Sequence, residues 1–146
     1  MNDIGPNPVL VAATLAWAVA QTLKFMLYSI RDRRVSLHYL TTMGGMPSTH
    51  SATVAGLATA VGMREGLRST PFAIALVFAI VVMYDAAGVR RAAMAQAKIL
   101  NKIIDELFQG HPISETRLRE LLGHTPIEVM VGAMLGIIVS YMVMHG

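Results

Sequence analysis

The chain alternates between long apolar stretches and short polar stretches that are mostly basic. Four apolar stretches approach the roughly 20 residues that a helix needs to cross the hydrocarbon core of a bilayer. They cover residues 8–30, 48–63, 71–89 and 126–144. We therefore predict an all-α integral membrane bundle of about four transmembrane helices, folded as a single domain over residues 1–146.

The second and fourth apolar stretches are rich in small residues. Residues 48–63 are short for a span and contain repeated alanine, glycine, serine and threonine, while residues 126–144 carry Gly132-x-x-x-Gly136. Small side chains let neighbouring helices approach closely. We expect the second helix to lie in the middle of the bundle.

The third apolar stretch has a helix-start signal and is followed by an amphipathic segment. Thr70 and Pro71 predict an N-cap and the first helical residue. In residues 90–125, one helical face carries Ile99, Leu100, Ile103, Ile104, Leu107 and Phe108. The opposite face carries Lys98, Asn101, Lys102, Asp105 and Glu106. This pattern predicts a helix that lies at the membrane surface or packs on the bundle.

Composition supports a membrane protein. Of the 146 residues, 54% are hydrophobic and only 14% are charged, whereas soluble domains carry about 25% charged residues. The chain has no cysteine, which excludes disulfides, thiolate metal sites and cysteine nucleophiles. The length of 146 residues allows one domain at most and excludes a large soluble catalytic domain.

Basic residues are distributed unevenly between the two sides that four spans would define. One side holds Lys24, Arg31, Arg33, Arg34, Arg90, Arg91, Lys98, Lys102, Arg117 and Arg119. The other side holds Arg64 and Arg68. The positive-inside rule then places the basic side in the cytoplasm of a cell or inner membrane.

The segment that opens the second stretch is the densest chemical signal. Gly44 and Gly45 free the backbone to present N–H groups, and Ser48 and Thr49 lie at a helix N-terminus, which favours a phosphate. His50 is placed to give a proton to a leaving alkoxide. The structural alternative is a Gly-Gly turn with a serine cap and an interfacial histidine.

Asp85, Arg90 and Arg91 form a second signal at the basic end of the third stretch. An ionisable residue in the apolar zone is usually paired or functional, and arginines offer forked donors to phosphate oxygens. The structural alternative is a pair of anchoring arginines that neutralises Asp85.

His124 and Glu128 form a third signal where the fourth stretch opens. A carboxylate near an imidazole can fix its tautomer and stabilise its charged form, which prepares a nucleophile or base. The structural alternative is a capping box made by Thr125 and Glu128 around Pro126.

Lys24 is a fourth and weaker signal, seven residues before Arg31, because a lysine at a membrane end often snorkels to the interface. With four spans, all four signals emerge on the same membrane face. Two histidines, two carboxylates and several cations would then meet in one cluster.

The sequence P-S-T-H at residues 47–50 resembles the P-S-x-H signature of the type-2 phosphatidic acid phosphatase superfamily, which includes bacterial acid phosphatases and vanadium haloperoxidases. Longer strings at residues 44–52, 84–91 and 121–129 are similar to its small divergent membrane branch. The three strings occur in order, and the hydropathy pattern extends the resemblance over nearly the whole chain.

The resemblance implies phosphohistidine chemistry without a metal or cofactor. His124 would attack phosphorus, Glu128 would orient it, and His50 would protonate the leaving group. We predict the catalytic residues His124, His50, Glu128 and Asp85. We predict the substrate-binding residues Lys24, Gly44, Gly45, Ser48, Thr49, Arg90 and Arg91.

Two departures affect the phosphate-binding assignments. Lys24 and Arg31 fit the spacing of the first motif, Lys-x6-Arg-Pro, but Asp32 replaces the proline. The usual Ser-Arg before the third-motif histidine is missing, with Leu118 in the arginine position. Arg90 or Arg91 would supply that charge instead.

We predict a phosphatase that acts on a lipid phosphate monoester or diphosphate, with phosphatidylglycerophosphate, phosphatidate and polyprenyl diphosphate all compatible. The expected partners are this substrate and membrane lipids, with no nucleic acid, and homo-oligomerisation stays open. The alternatives are a lipid phosphotransferase, a non-catalytic protein that binds anionic lipid, and a small channel or carrier.

Overall fold

The computed structural model describes residues 5–36, 45–107 and 125–146, and for residues 88–95, 98 and 105–107 only the path of the backbone. The helices are α1 (Pro8–Asp32), α2 (Thr49–Glu65), α3 (Thr70–Leu107) and α4 (Pro126–His145). No strand occurs within the described ranges, which confirms the all-α prediction.

Three helices are long and apolar enough to cross a membrane. They are α1, the Thr70–Ala87 part of α3, and α4. The 17 residues of α2 fall short of the roughly 20 that span the hydrocarbon core. The integral membrane class is therefore supported, while a fourth crossing by α2 stays a prediction.

The N-cap of α3 lies one residue earlier than the sequence predicts. The Phe72 amide donates to the Oγ of Ser69 at 3.3 Å, and Thr70 is already helical. Pro71 is then the second helical residue, where a missing N–H removes no bond within the helix. The predicted cap at Thr70 was wrong.

The amphipathic segment is not a separate surface helix, because α3 runs without a break from Thr70 to Leu107. Its 38 residues extend about 57 Å, nearly twice the thickness of a hydrocarbon core. The apolar part therefore continues directly into the amphipathic part, and α3 projects beyond the membrane.

Helix α2 lies at the centre of the bundle and contacts each of the other three helices. Nine of its 17 residues are buried, which confirms the position predicted from its small residues. It runs parallel to α4 in a fixed register. The contacts that set this register join Gly132 with Ser48, Gly136 with Ala52, and Ser140 with Gly56.

Helices α1 and α3 run antiparallel to α2. Ala16 contacts Gly56 and Tyr28 contacts Gly45, while Phe72 contacts Gly62 at the far end of α2. Consequently, the end of α1 and the starts of α2 and α4 share one end of the bundle.

Candidate functional site

The segment that opens α2 turns sharply before the helix begins. Gly45 has a φ of +92°, a left-handed conformation that residues with a Cβ rarely adopt. The bond between Met46 and Pro47 is cis. A Cβ on Gly45 would also overlap the hydroxyl of Tyr28 in α1. Glycine at this position therefore lets the segment pass directly over α1.

Ser48 is fully buried and caps α2. Its Oγ accepts hydrogen bonds from the Ser51 amide at 3.3 Å and from the Ser51 hydroxyl at 3.0 Å. Thr49, the first residue of α2, is also buried. These bonds match the structural alternative of a helix cap, and contact of Ser48 or Thr49 with phosphate stays a prediction.

The start of α2 is joined directly to the start of α4. The Ser48 amide donates to the carbonyl oxygen of Glu128 at 3.1 Å. One turn further along α4, Gly132 lies against the Ser48 carbonyl, where a Cβ would overlap the oxygen. Two of the predicted chemical signals, far apart in the sequence, are therefore adjacent in the fold.

Glu128 forms the capping box of α4. The Thr125 amide donates to Glu128 Oε2 at 2.9 Å, and the Glu128 amide donates to Thr125 Oγ1 at 3.2 Å. This arrangement confirms the capping alternative. It fixes both the Glu128 side chain and Thr125, the residue that directly follows His124 in the sequence.

Lys24 is 4% exposed, although it carries an ammonium group. The negative charge of Glu128 acts on it, so α1 brings a buried cation to the start of α4. An ionisable group within a membrane-spanning helix is usually paired or functional. The structure thus brings together Lys24 and Glu128, two of the predicted site residues.

A cavity of about 350 Å³ opens beside Glu128. Its lining residues are Leu27, Tyr28, Arg31, Met46 and Glu128. Tyr28 was missed by the sequence analysis. The signal that would have found it is spacing, because residues 24, 28 and 31 fall on one face of a helix.

His50 is the second residue of α2 and is exposed. Asp85 is also exposed, near the end of the apolar part of α3. The antiparallel register of α2 and α3 places Asp85 close to the level of His50. Helices α1 and α3 do not touch within the described residues, so Asp85 and Lys24 stand on separate, non-contacting helices.

Four predicted site residues cannot be located at side-chain level. Gly44 and His124 lie outside the described residues. Arg90 and Arg91 lie on the described backbone of α3, without described side chains. Their assignments stay predictions.

Two helix N-termini meet at this end of the bundle, because α2 and α4 run parallel in register. Each N-terminus carries a partial positive charge of about half an elementary charge. Lys24 and Arg31 add two further positive charges, against the carboxylates of Glu128 and of Asp32, whose Oδ1 lies 3.9 Å from Arg31 Nε. This arrangement is electrostatically favourable for a bound anion.

Two comparisons with known proteins found similarity over most of the chain. A sequence model described as the Divergent PAP2 family matches residues 6–139. The uncharacterized membrane protein YuiD of Bacillus subtilis (strain 168) is 37% identical over 145 residues, which cover 92% of each chain. No solved structure matches the chain significantly.

Proposed function

We propose, since the chain belongs to the divergent PAP2 family, that it hydrolyses phosphate esters or diphosphates of membrane lipids at the cytoplasmic face of the membrane. Family membership supports a phosphatase-related role. Three helices long and apolar enough to cross a bilayer support a lipid substrate. A head group would enter the site while its hydrocarbon part stays in the membrane.

The observation that carries the proposal is the hydrogen bond from the Ser48 amide to the Glu128 carbonyl, at 3.1 Å. It joins the P-S-T-H segment to the helix that begins directly after His124. The bond requires the N-termini of α2 and α4 to lie side by side, and the negative charge of Glu128 at this junction acts on the buried Lys24. Phosphoryl transfer depends mostly on positioning and on stabilising negative charge, which this arrangement supports.

The first chemical step transfers the phosphoryl group to the protein. An imidazole nitrogen of His124 attacks phosphorus, and the bond between phosphorus and the lipid oxygen breaks. His50, exposed at the start of α2, gives its proton to the leaving oxygen. The products are a phosphohistidine and the lipid alcohol, or a lipid monophosphate when the substrate is a diphosphate.

The second step returns the protein to its starting state. A water molecule attacks the phosphohistidine, the bond between nitrogen and phosphorus breaks, and orthophosphate leaves. His50, now neutral, takes the proton from the attacking water. Both histidines thus end the cycle as they began it.

The remaining residues bind and position. Lys24, Arg31 and the backbone near Gly45 hold phosphate oxygens, with Gly44, Ser48, Thr49, Arg90 and Arg91 as further predicted contacts. Glu128 Oε2 holds the Thr125 amide, and the Glu128 carboxylate is assigned to orient the His124 imidazole. Asp85 is assigned a supporting role on α3, level with His50.

Phosphate release from a panel of lipid phosphates, with EDTA present, tests the proposal. We expect activity in the wild type and its loss in His124→Ala and in His50→Ala. His145→Ala is the matched control, because His145 stacks on Tyr141 at the opposite end of α4 and should not affect turnover. Equal activity in His124→Ala would exclude it as the nucleophile, and loss of wild-type activity in EDTA would exclude a metal-free mechanism.

A further inference from the structure

The face of α3 that packs on α2 continues far beyond the start of α2. Ala75 and Ala79 of α3 are buried in a cluster with Val54 and Ala58 of α2. Ala97 comes 18 residues after Ala79, which corresponds to five turns of an α-helix and about 27 Å along its axis. Ala97 therefore lies on the same face of α3 as Ala79.

Ala97 is only 7% exposed, although none of the other described helices covers it. It lies about 18 Å beyond Asp85 along α3, and Asp85 is close to the level at which α2 and α4 begin. Helix α1 does not contact α3 within the described residues. Ala75 has the same exposure of 7%, and there α2 provides the cover. The cover over Ala97 therefore comes from outside the described ranges.

The covered part of this face is a narrow strip. Asn101 and Ile104 follow Ala97 by four and seven residues and lie on the same face, and both are half-buried. Ile99 and Ile103, on the neighbouring face, are 60% and 44% exposed. A single segment of chain covers a strip of this width, whereas a second bundle packed on α3 would cover Ile99 and Ile103 as well.

The connection from α3 to α4 has to pass this strip. Leu107 lies about 33 Å beyond Asp85 along α3, whereas α4 begins beside Ser48, at about the level of Asp85. Residues 108–124 must therefore return about 30 Å towards the membrane. Any path between these two ends crosses the level of Ala97.

The sequence of this connection suits an apolar surface. Leu118, Leu121 and Leu122 have the spacing of one helical face, and the residues at 117, 119 and 120 are charged. Apolar side chains gain free energy when they are buried against other apolar groups. The apolar face of α3 is the described surface alongside which the connection returns.

The connection between α1 and α2, which also includes residues outside the described ranges, has no need to reach α3. It follows directly after α1, and it ends at Gly45, which contacts Tyr28 of α1. Both of its ends therefore lie beside α1, the helix that does not contact α3 within the described residues.

We propose that the strip of α3 formed by Ala97, Asn101 and Ile104 is the docking surface for residues 113–122 of the same chain, and that this contact positions His124. The one-sided cover of α3, the path that the connection must take and the spacing of its leucines support the same occupant. The projecting part of α3 thereby gains a role that its membrane-spanning part does not have.

The docking would hold the chain on one side of His124, two residues after Leu122. The capping box of α4 already holds Thr125 on the other side. Ala97 and Ile104 are therefore positioning residues for the predicted nucleophile. Their effect on turnover rests on the proposed function, whereas the docking itself does not.

Disulfide trapping tests the docking without requiring turnover, and the chain has no native cysteine to interfere. Ala97→Cys is combined in turn with Leu118→Cys, Leu121→Cys and Leu122→Cys, in the full chain in phosphatidylcholine vesicles, and oxidised with copper phenanthroline. A disulfide needs Cα atoms within about 7 Å of each other. We expect an intramolecular disulfide in at least one pair, identified by mass spectrometry. Ile99→Cys with the same three partners is the matched control, and there the disulfide should be lost.

Three results would overturn the docking. Disulfides between two copies of the chain would mean that a second copy covers the strip. A disulfide of Ala97→Cys with Leu40→Cys, in preference to all three leucine positions, would assign the cover to the connection between α1 and α2. Equal yields with Ile99→Cys, or no disulfide in any of the three pairs, would mean that residues 113–122 do not dock on this face.

Ile104→Asp tests whether the docking positions His124. We expect kcat for hexadecyl phosphate to fall by about tenfold to a hundredfold with KM nearly unchanged, because a misplacement of about 1 Å at a reacting group can cost that much in rate. Ile104→Leu should restore most of the activity, and Ile103→Asp, on the exposed face, is the matched control.

A rise in KM alone, or equal losses of kcat in Ile104→Asp and Ile103→Asp, would contradict the positioning of His124. A wild-type background that forms the disulfide but releases no phosphate would support the docking and contradict the proposed hydrolysis. The two proposals can therefore fail separately.

Discussion

Lys24 is the residue whose charge most needs explanation, because burial in a membrane-spanning helix is unfavourable for an ammonium group unless an anion lies beside it. Glu128 supplies that anion in the structure. In our proposal, the substrate phosphate also interacts with the Lys24 ammonium group during turnover, alongside Glu128. Lys24 would then serve both the α1–α4 contact and the binding of substrate.

Replacing Lys24 with methionine should lower phosphatase activity by about a hundredfold or more, because a buried positive donor to the developing negative charge is lost. Lys24→Arg keeps the charge and should retain part of the activity. Phosphate release at saturating and subsaturating substrate gives kcat and KM for each variant. The control is Lys102→Met, on the exposed amphipathic part of α3. Full activity in Lys24→Met would mean that Lys24 does not bind the substrate and only anchors α1 in the membrane.

Tyr28→Phe removes one hydroxyl from the lining of the cavity beside Glu128. The ring and its packing remain, so the free energy of unfolding should change little. Loss of one neutral hydrogen bond of about 1 kcal/mol predicts a rise in KM of about fivefold. Tyr141→Phe, at the far end of α4, is the matched control, and an equal effect of both substitutions would contradict a specific role for Tyr28.

The sequence singled out Lys24 and Glu128 as candidate site residues, and the structure places them near one another. Lys24 was the weakest of the four signals, because a lysine at a membrane end often snorkels to the interface, and its burial is visible only in the structure. Glu128 fitted two roles, and only the structure shows that its Oε2 is engaged in the capping box. Tyr28 was missed because a tyrosine near a membrane end is ordinary, and its contact with Gly45 depends on how two distant segments pack.

Among the elements, the parallel contact between α2 and α4 positions the site. Gly132→Ala places a Cβ against the Ser48 carbonyl, so α4 must shift away from the P-S-T-H segment. We expect a loss of about 1–3 kcal/mol in the free energy of unfolding, measured by denaturant titration in detergent, together with reduced activity.

Gly5→Ala is the control for this substitution, because nothing lies within 4 Å of a Cβ at that position. Gly136→Ala, where a Cβ would overlap the Ala52 carbonyl one turn deeper, should destabilise similarly with a smaller loss of activity. Unchanged stability in both Gly132→Ala and Gly136→Ala would contradict the described helix contact.

The sequence predicted which segments are helical more accurately than it predicted the residues at which the helices begin and end. The small residues of α2 indicated its central position, because small side chains let several neighbouring helices approach one helix closely. The third span was predicted at residues 71–89, close to the apolar Thr70–Ala87 part of α3, but the helix was not expected to continue without a break past Arg90 and Arg91. A pair of charges does not stop a helix, and Gly88 within a helix costs only about 1 kcal/mol relative to alanine, so α3 continues.

At the scale of the whole molecule, the number of crossings decides which side of the membrane holds the site. Four crossings put the end of α1 and the starts of α2 and α4 on the cytoplasmic side, as the distribution of basic residues predicts. The crossing that needs a test is that of α2, because its 17 residues are short for a membrane span.

Because the chain has no cysteine, a single introduced cysteine can report on which side of the membrane a given residue lies. We expect a membrane-impermeant maleimide to label Val35→Cys from the cytoplasmic side and Leu67→Cys from the opposite side, in sealed vesicles of known orientation. Both positions are more than 70% exposed, so accessibility does not limit the reaction. Labelling of both from one side would mean that α2 does not cross.

The most direct test of the central claim is to locate the phosphoryl group on the protein during turnover. The wild type is mixed with hexadecyl phosphate labelled with radioactive phosphorus, quenched in alkali, and analysed by peptide mapping. We predict an acid-labile phosphohistidine at His124 that forms in the wild type and is strongly reduced in Lys24→Met. Rapid release of labelled phosphate with no labelled protein at any time, or with the label on another residue, would contradict a phosphoryl site built where α2 and α4 begin.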